Sequence, residues 1–202
     1  MTLVTLACAW TWTAGWIAWA GIGPCVASPH TPIPHTLTAW LDDKTQVVDA
    51  GGLTFEVPAT WKASPGTNAM RRAQVVKPAV EGDPEPAELI VFVFPGGAGG
   101  IEANIERWRS QFQDDKGQPP PAKTETLKVG DLEVTTVEIN GRYVASVRPG
   151  SPQTFNKPGF ALLGAIILTD DAGYFLKMVG PRNTMDAAKP EFQALVKSIK
   201  AK

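Results

Sequence analysis

Leu89 to Phe94 is a run of six residues, LIVFVF, that is apolar at every position. A strand that is apolar on both faces needs cover on both, so the run predicts a central strand in a sheet covered by helices on each side. Fully buried, each of these side chains contributes roughly 1.5–3 kcal/mol by leaving water, and a charge placed among them is expected to be severely destabilising. Gly96 to Gly100 forms a glycine loop directly after it. Beyond the loop Ile101, Ile105, Trp108 and Phe112 recur four, three and four apart, the apolar stripe of a helix, with Glu102, Glu106 and Arg109 off that stripe.

The remaining punctuation divides the chain into strands and one further helix. Leu53 to Val57 alternates apolar and polar after the Gly51-Gly52 turn and stops at Pro58, before Trp61. Met70 to Lys77 reads as a strand, and Val80 to Pro86 as a charged, exposed loop. Thr124–Val129 and Glu133–Ile139 flank Gly130-Asp131 as an antiparallel hairpin, and Gly141 to Val147 continues as a short strand. Arg148 to Gly159 reads as a long surface loop. Phe160–Thr169 and Tyr174–Val179 form a last hairpin, followed by a helix marked by Met185, Ala188, Phe192, Leu195 and Ile199. Pro190, inside it, is expected to kink or delay it. The sum is an α+β domain.

The chain has 202 residues, and a segment of about 150 residues buries roughly 70% of its unfolded surface, enough for a core without staples. With 19 basic and 20 acidic residues the net charge is −1, which excludes a field able to collect nucleic acid. The first 43 residues contain no Lys or Arg, and residues 1–27 are apolar, small or hydroxylated almost throughout. They read as a signal peptide cleaved after Ala27, or else as an uncleaved membrane anchor, which would be the only membrane contact. Residues 28–48 form a linker with Pro29, Pro32 and Pro34, and the domain spans 49–202. Export to a periplasmic or extracellular location is expected. Lipidation of Cys25 fits poorly, because Pro24 stands where a small residue is wanted.

Cys8, Cys25, His30 and His35 are the only cysteines and histidines, and all precede the domain. The domain therefore lacks Ser-His-Asp and Cys-His catalysis and zinc, haem or iron–sulfur ligation by those residues, and no metal or cofactor is expected. Asp42-Asp43, Asp114-Asp115 and Asp170-Asp171 offer paired carboxylates for Ca²⁺ or acid–base work, although Asp is also favoured for turn geometry alone. Gly96, Gly97, Gly99 and Gly100, with Asn104 and Arg107 one helical turn apart, are the constellation to test for a ligand or partner. The plainer explanation is that Asn104 braces the loop and Arg107 pairs with an acid. No Walker or dinucleotide fingerprint accompanies the glycines.

Phe55-Glu56-Val57-Pro58 with Trp61, the strand–glycine–helix segment through Asn104, Arg107, Trp108 and Phe112, and Phe175-Leu176-Lys177-Met178-Val179-Gly180-Pro181 before the last helix carry a resemblance. Over roughly Asp49 to Lys202 the chain resembles the PsbP-like superfamily, in particular small exported bacterial proteins of planctomycete type. The resemblance implies a central antiparallel sheet covered by helices on both faces, an α/β/α sandwich. Members of that superfamily act by binding, PsbP at photosystem II and another branch on the GTPase Ran, and no catalytic residue carries over. The resulting expectation is a non-catalytic exported binding domain with a protein or small-molecule partner in the cell envelope. The alternative is a carboxylate-dependent enzyme or Ca-binding module using loop aspartates. An assembly subunit would instead show an exposed apolar patch, with Pro149 to Gly159 as its expected place.

Overall fold

Alternating burial along short segments, punctuated by turn residues, yields a strand-rich chain. The computed structural model describes residues 45–148 and 150–202; residues 1–27 and most of the linker, with Asp42 and Asp43, lie outside the described residues. The elements are β1 (Thr45–Asp49), β2 (Leu53–Pro58), β3 (Lys62–Pro65), β4 (Arg71–Lys77), β5 (Ala87–Pro95), α1 (Ile101–Arg109) and β6 (Phe112–Gln113). There follow β7 (Ala122–Val129), β8 (Leu132–Tyr143), β9 (Lys157–Leu168), β10 (Ala172–Pro181), α2 (Arg182–Lys197) and β11 (Lys200–Ala201). An eight-stranded sheet has the order β3-β4-β5-β10-β9-β8-β6, with β7 also paired to β8, and a three-stranded sheet has the order β1-β2-β11. Among the described residues every strand pairing is antiparallel, so the domain is an α+β fold dominated by antiparallel strands.

β9 is buried on both faces, with Phe160 to Ile167 buried throughout, and β10 is likewise buried from Ala172 to Leu176. The side chains of β9 alternate between two clusters. Ala161, Leu163, Ala165 and Ile167 join Leu53, Phe55 and Val57 of β2 and Met185, Ala188, Phe192 and Val196 of α2. Phe160, Leu162 and Ile166 join Trp108 of α1, Phe112, Val137, Ile139 and Phe175. Gly164 lies beneath the α1 indole: a Cβ there would stand 2.3 Å from Cζ3 of Trp108. The absent side chain is what lets α1 rest on the sheet at that point.

Several expectations need correction. In β5, Leu89, Val91 and Val93 are buried, whereas Ile90, Phe92 and Phe94 are half-buried, so the apolar run has one fully covered face. β5 remains an interior strand, third of the seven on the path and paired on both edges, next to β10 at its middle. Phe112, assigned by its spacing to the helix, begins β6 instead, because the backbone turns where Gln111 N–H donates to Trp108 O. Thr45–Asp49 is a strand rather than the end of the linker, its register on β2 set by a turn in which Gly51 N–H donates to Asp49 Oδ1. α2 runs unbroken through Pro190, whose ring is on the exposed side.

Candidate functional site

The glycine loop adopts a geometry that only glycine reaches easily. Gly96, Gly97 and Gly99 have φ of +73°, +87° and +85°, while Gly100, preceding α1, is extended. Gly96 N–H donates to Asp171 O at 2.8 Å and Gly97 N–H to Phe94 O at 3.0 Å, which ties the loop to the β9–β10 turn. Asn104 is buried and donates from Nδ2 to Ala98 O (3.1 Å) and Gly100 O (2.9 Å). Arg107 donates to Asn104 Oδ1 at 2.8 Å. The six residues are thus brought together, and the bonds that Asn104 and Arg107 make are bracing bonds. Arg107 reaches Asn104 where an acid had been expected.

The described aspartate pairs serve separate turns. Asp114 Oδ1 accepts from Lys116 N–H (2.8 Å) and Gln118 N–H (2.9 Å) between β6 and β7, and Asp170 and Asp171 are exposed at the β9–β10 turn. Among the described residues no three of His, Cys, Asp and Glu gather as a metal-holding group. Among the described residues the exposed large apolar ones, Val47, Met70, Val147 and Leu168, belong to four different segments, while Phe155 is half-buried and stacks on Tyr143.

A cleft that the sequence reading missed opens where α2 leaves part of the sheet uncovered. It measures about 300 Å³ and lies between α2 and the β7–β8 pair, lined by Leu127, Leu163, Phe192 and Val196, with Lys123, Glu125, Glu138, Lys189, Gln193 and Lys197 among its polar residues. Helical spacing explains one wall: Lys189, Gln193 and Lys197 are four apart and form a stripe beside the buried Phe192 and Val196. Strand alternation explains the other, because Lys123, Glu125 and Leu127 share one face of β7 and Lys123 is opposite Glu138 in register. Lys189 Nζ meets Glu138 Oε2 at 2.6 Å and links the two walls. Burial pushes the Glu138 carboxyl up, but the hydrogen bond and charge of Lys189, with help from Asn140 and Lys123, hold it below its ordinary value.

On the α1 side of the sheet, Lys177 of β10 donates to the neutral amide Oε1 of Gln111 and sits 5.7 Å from the centre of the Tyr143 ring. Burial, with no carboxylate in ion-pair contact among the described residues, lowers its ammonium to about 8. Burial also raises the Tyr143 phenol, and the Glu88 charge raises it further. Lys177 falls within the FLKMVGP segment, but its protonation could not be read there because its neighbours are Gln111, between α1 and β6, and Tyr143 of β8.

No protein-family model matches the chain, and no curated protein matches it by sequence. Solved structures do. Cyanobacterial PsbP (CyanoP) from Synechocystis sp. PCC 6803 is similar at a TM-score of 0.49 and 14% identity, covering 78% of this chain and 92% of that one. A protein of unknown function, PA94 from Pseudomonas aeruginosa, described as a putative regulator, is similar at 0.47 and 9%, covering 78% and 97%. LpqN, involved in cell envelope biogenesis of Mycobacterium tuberculosis, is similar at 0.46 and 12%, covering 78% and 90%. At these identities no residue role transfers, and the fold described above rests on this chain's own strand order.

Proposed function

We propose that this chain is a PsbP-like, non-catalytic binding domain of an exported protein, and that it receives its ligand in the cleft between α2 and β7–β8. The observation that carries the reading is the cleft itself, which combines an apolar floor of Leu163, Phe192 and Val196 with a lysine-bearing rim. Small-ligand sites are built this way, from apolar area with a few polar groups that set orientation. The absence of His and Cys from residues 49–202 supports binding over turnover. Export rests on the apolar character of residues 1–27; among the described residues no helix is long and apolar enough to cross a membrane. In this reading both helices serve as outer layers on the sheet, α2 walling the cleft and α1 holding the opposite cluster.

A thermal-shift screen of common metabolites, anions and divalent cations against the full chain tests the proposal, with Gln193→Trp and Arg107→Ala alongside. Gln193 is exposed, so a tryptophan there fills the cleft without entering the core. Compounds that raise Tm in the parent are expected to lose their effect in Gln193→Trp and keep it in Arg107→Ala, since ligand binding to the native state stabilises it. Loss in Arg107→Ala alone moves the site to the glycine loop. Steady turnover of a compound overturns the non-catalytic reading.

A further inference from the structure

We infer that the cleft takes a single-chain amphiphile carrying one carboxylate, the head between Lys123 and Lys189 and the chain along Leu163, Phe192 and Val196 toward Leu127. This inference rests on the cleft being the ligand site and adds the class of ligand. The cleft differs in chemistry along its length. At one end the β7–β8 register sets Lys123 opposite Glu138, and Glu138 pairs with Lys189 across the gap, so two lysines flank one carboxylate and, of the two, Lys189 alone is in contact with it. Four and eight residues further along α2 come Gln193 and Lys197, so the wall extends roughly 12 Å from Lys189 at the helical rise. Over that length the floor is aliphatic and aromatic, and it ends at Leu127, which packs half-buried on the core. The Lys123–Glu138–Lys189 cluster at one end and the apolar floor that runs beyond it, beneath a rim of Glu125, Gln193 and Lys197, fit a ligand with one charged end and an apolar chain.

Charge count and size narrow the class. Among the described residues Lys123, Lys189 and Lys197 face Glu125 and Glu138, three cations against two anions, an excess of one. A monoanionic carboxylate balances that excess, whereas a phosphate monoester brings about −1.5 to −2 at neutral pH. The cations are lysines, point charges on flexible stems, and the planar fork with which arginine grips phosphate is missing from the lining. A volume of about 300 Å³ lies at the low end for small-molecule sites, which suits one short chain and leaves no room for a two-chain lipid.

Titration of the ¹⁵N-labelled full chain with octanoate, octyltrimethylammonium and octanol, followed by amide chemical shifts, separates the possibilities. The expected result is saturable shifts at Lys123, Leu127, Leu163 and Val196 with octanoate, and binding about tenfold weaker for the other two probes. Lys123→Glu, an exposed edge-strand change that leaves the spectrum dispersed, is expected to weaken octanoate by about tenfold and to improve the cation, with Lys123→Gln intermediate. If the cleft amides respond equally to all three probes, or if Lys123→Glu leaves octanoate unchanged, the ligand class is wrong while the cleft stands. If no probe moves any cleft amide, the inference falls together with the site beneath it.

Discussion

At the scale of single residues, two positions carry consequences that measurement can reach. Lys177 holds a charge in a largely enclosed place, beside the Gln111 amide oxygen and the Tyr143 ring. Its folded value of about 8 is below the ordinary 10.5, so between those values the unfolded chain binds the extra proton and stability rises with pH. Below about 8 both states are charged and the folded one bears the full cost. Lys177→Met is therefore expected to stabilise the domain at pH 7 by on the order of 2 kcal/mol, after allowing for the donor lost to Gln111. In urea titrations the gain should shrink through pH 8 and vanish above pH 10.5. A gain constant across that range would show that charge is not its source. Gly164 is the other position. Gly164→Ala drives a methyl into the Trp108 indole and is expected to cost about 1–3 kcal/mol, falling to under about 1 kcal/mol in a Trp108→Ala background.

At the scale of elements, α2 starts without a side-chain cap of its own, because Pro181 occupies the N-cap position. The cap comes from the loop before β5. Asp83 Oδ2 accepts from Thr184 N–H at 2.7 Å and from Thr184 Oγ1 at 2.6 Å, Asp83 Oδ1 accepts from Asn183 Nδ2 at 3.0 Å, and Thr184 Oγ1 accepts from Val80 N–H at 3.1 Å. The hydrogen bond from the Thr184 hydroxyl, opposed by burial, leads the effects that hold the Asp83 carboxyl below its ordinary 3.8. A depressed carboxylate stabilises fully above its unfolded value and loses that contribution as pH falls through the folded one. Asp83→Ala is thus expected to lower Tm at pH 7, with the gap to the parent closing below pH 3.8; a gap independent of pH would refute the cap. The sequence showed the charged loop and the helix, but residues about a hundred positions apart carry no mutual signal. Short strands were illegible for a related reason: β6 and β11 have two residues each, too few for any period, and are strands only through their partners β8 and β2. Leu89–Phe94 was legible as a strand, but the alternation of its burial depends on what the rest of the chain lays over each face.

At the scale of the molecule, the glycine loop is legible in the sequence because its residues are contiguous, whereas the cleft is assembled from β7, β8, β9 and α2, which span Ala122 to Lys197. Each wall had a readable ingredient. The Thr124–Val129 hairpin strand and the stripe of α2 were both evident, yet their juxtaposition follows from strand order. The electrically near-neutral composition also concealed a local excess of lysine. One measurement weighs the two places against each other: hydrogen–deuterium exchange of the full chain with and without saturating octanoate. Slowed exchange is expected in Ala122–Val129 and in the Lys189–Lys197 part of α2, with Gly96–Arg107 unchanged. Protection confined to Gly96–Arg107, or none in β7 and α2, would contradict the cleft as the ligand site.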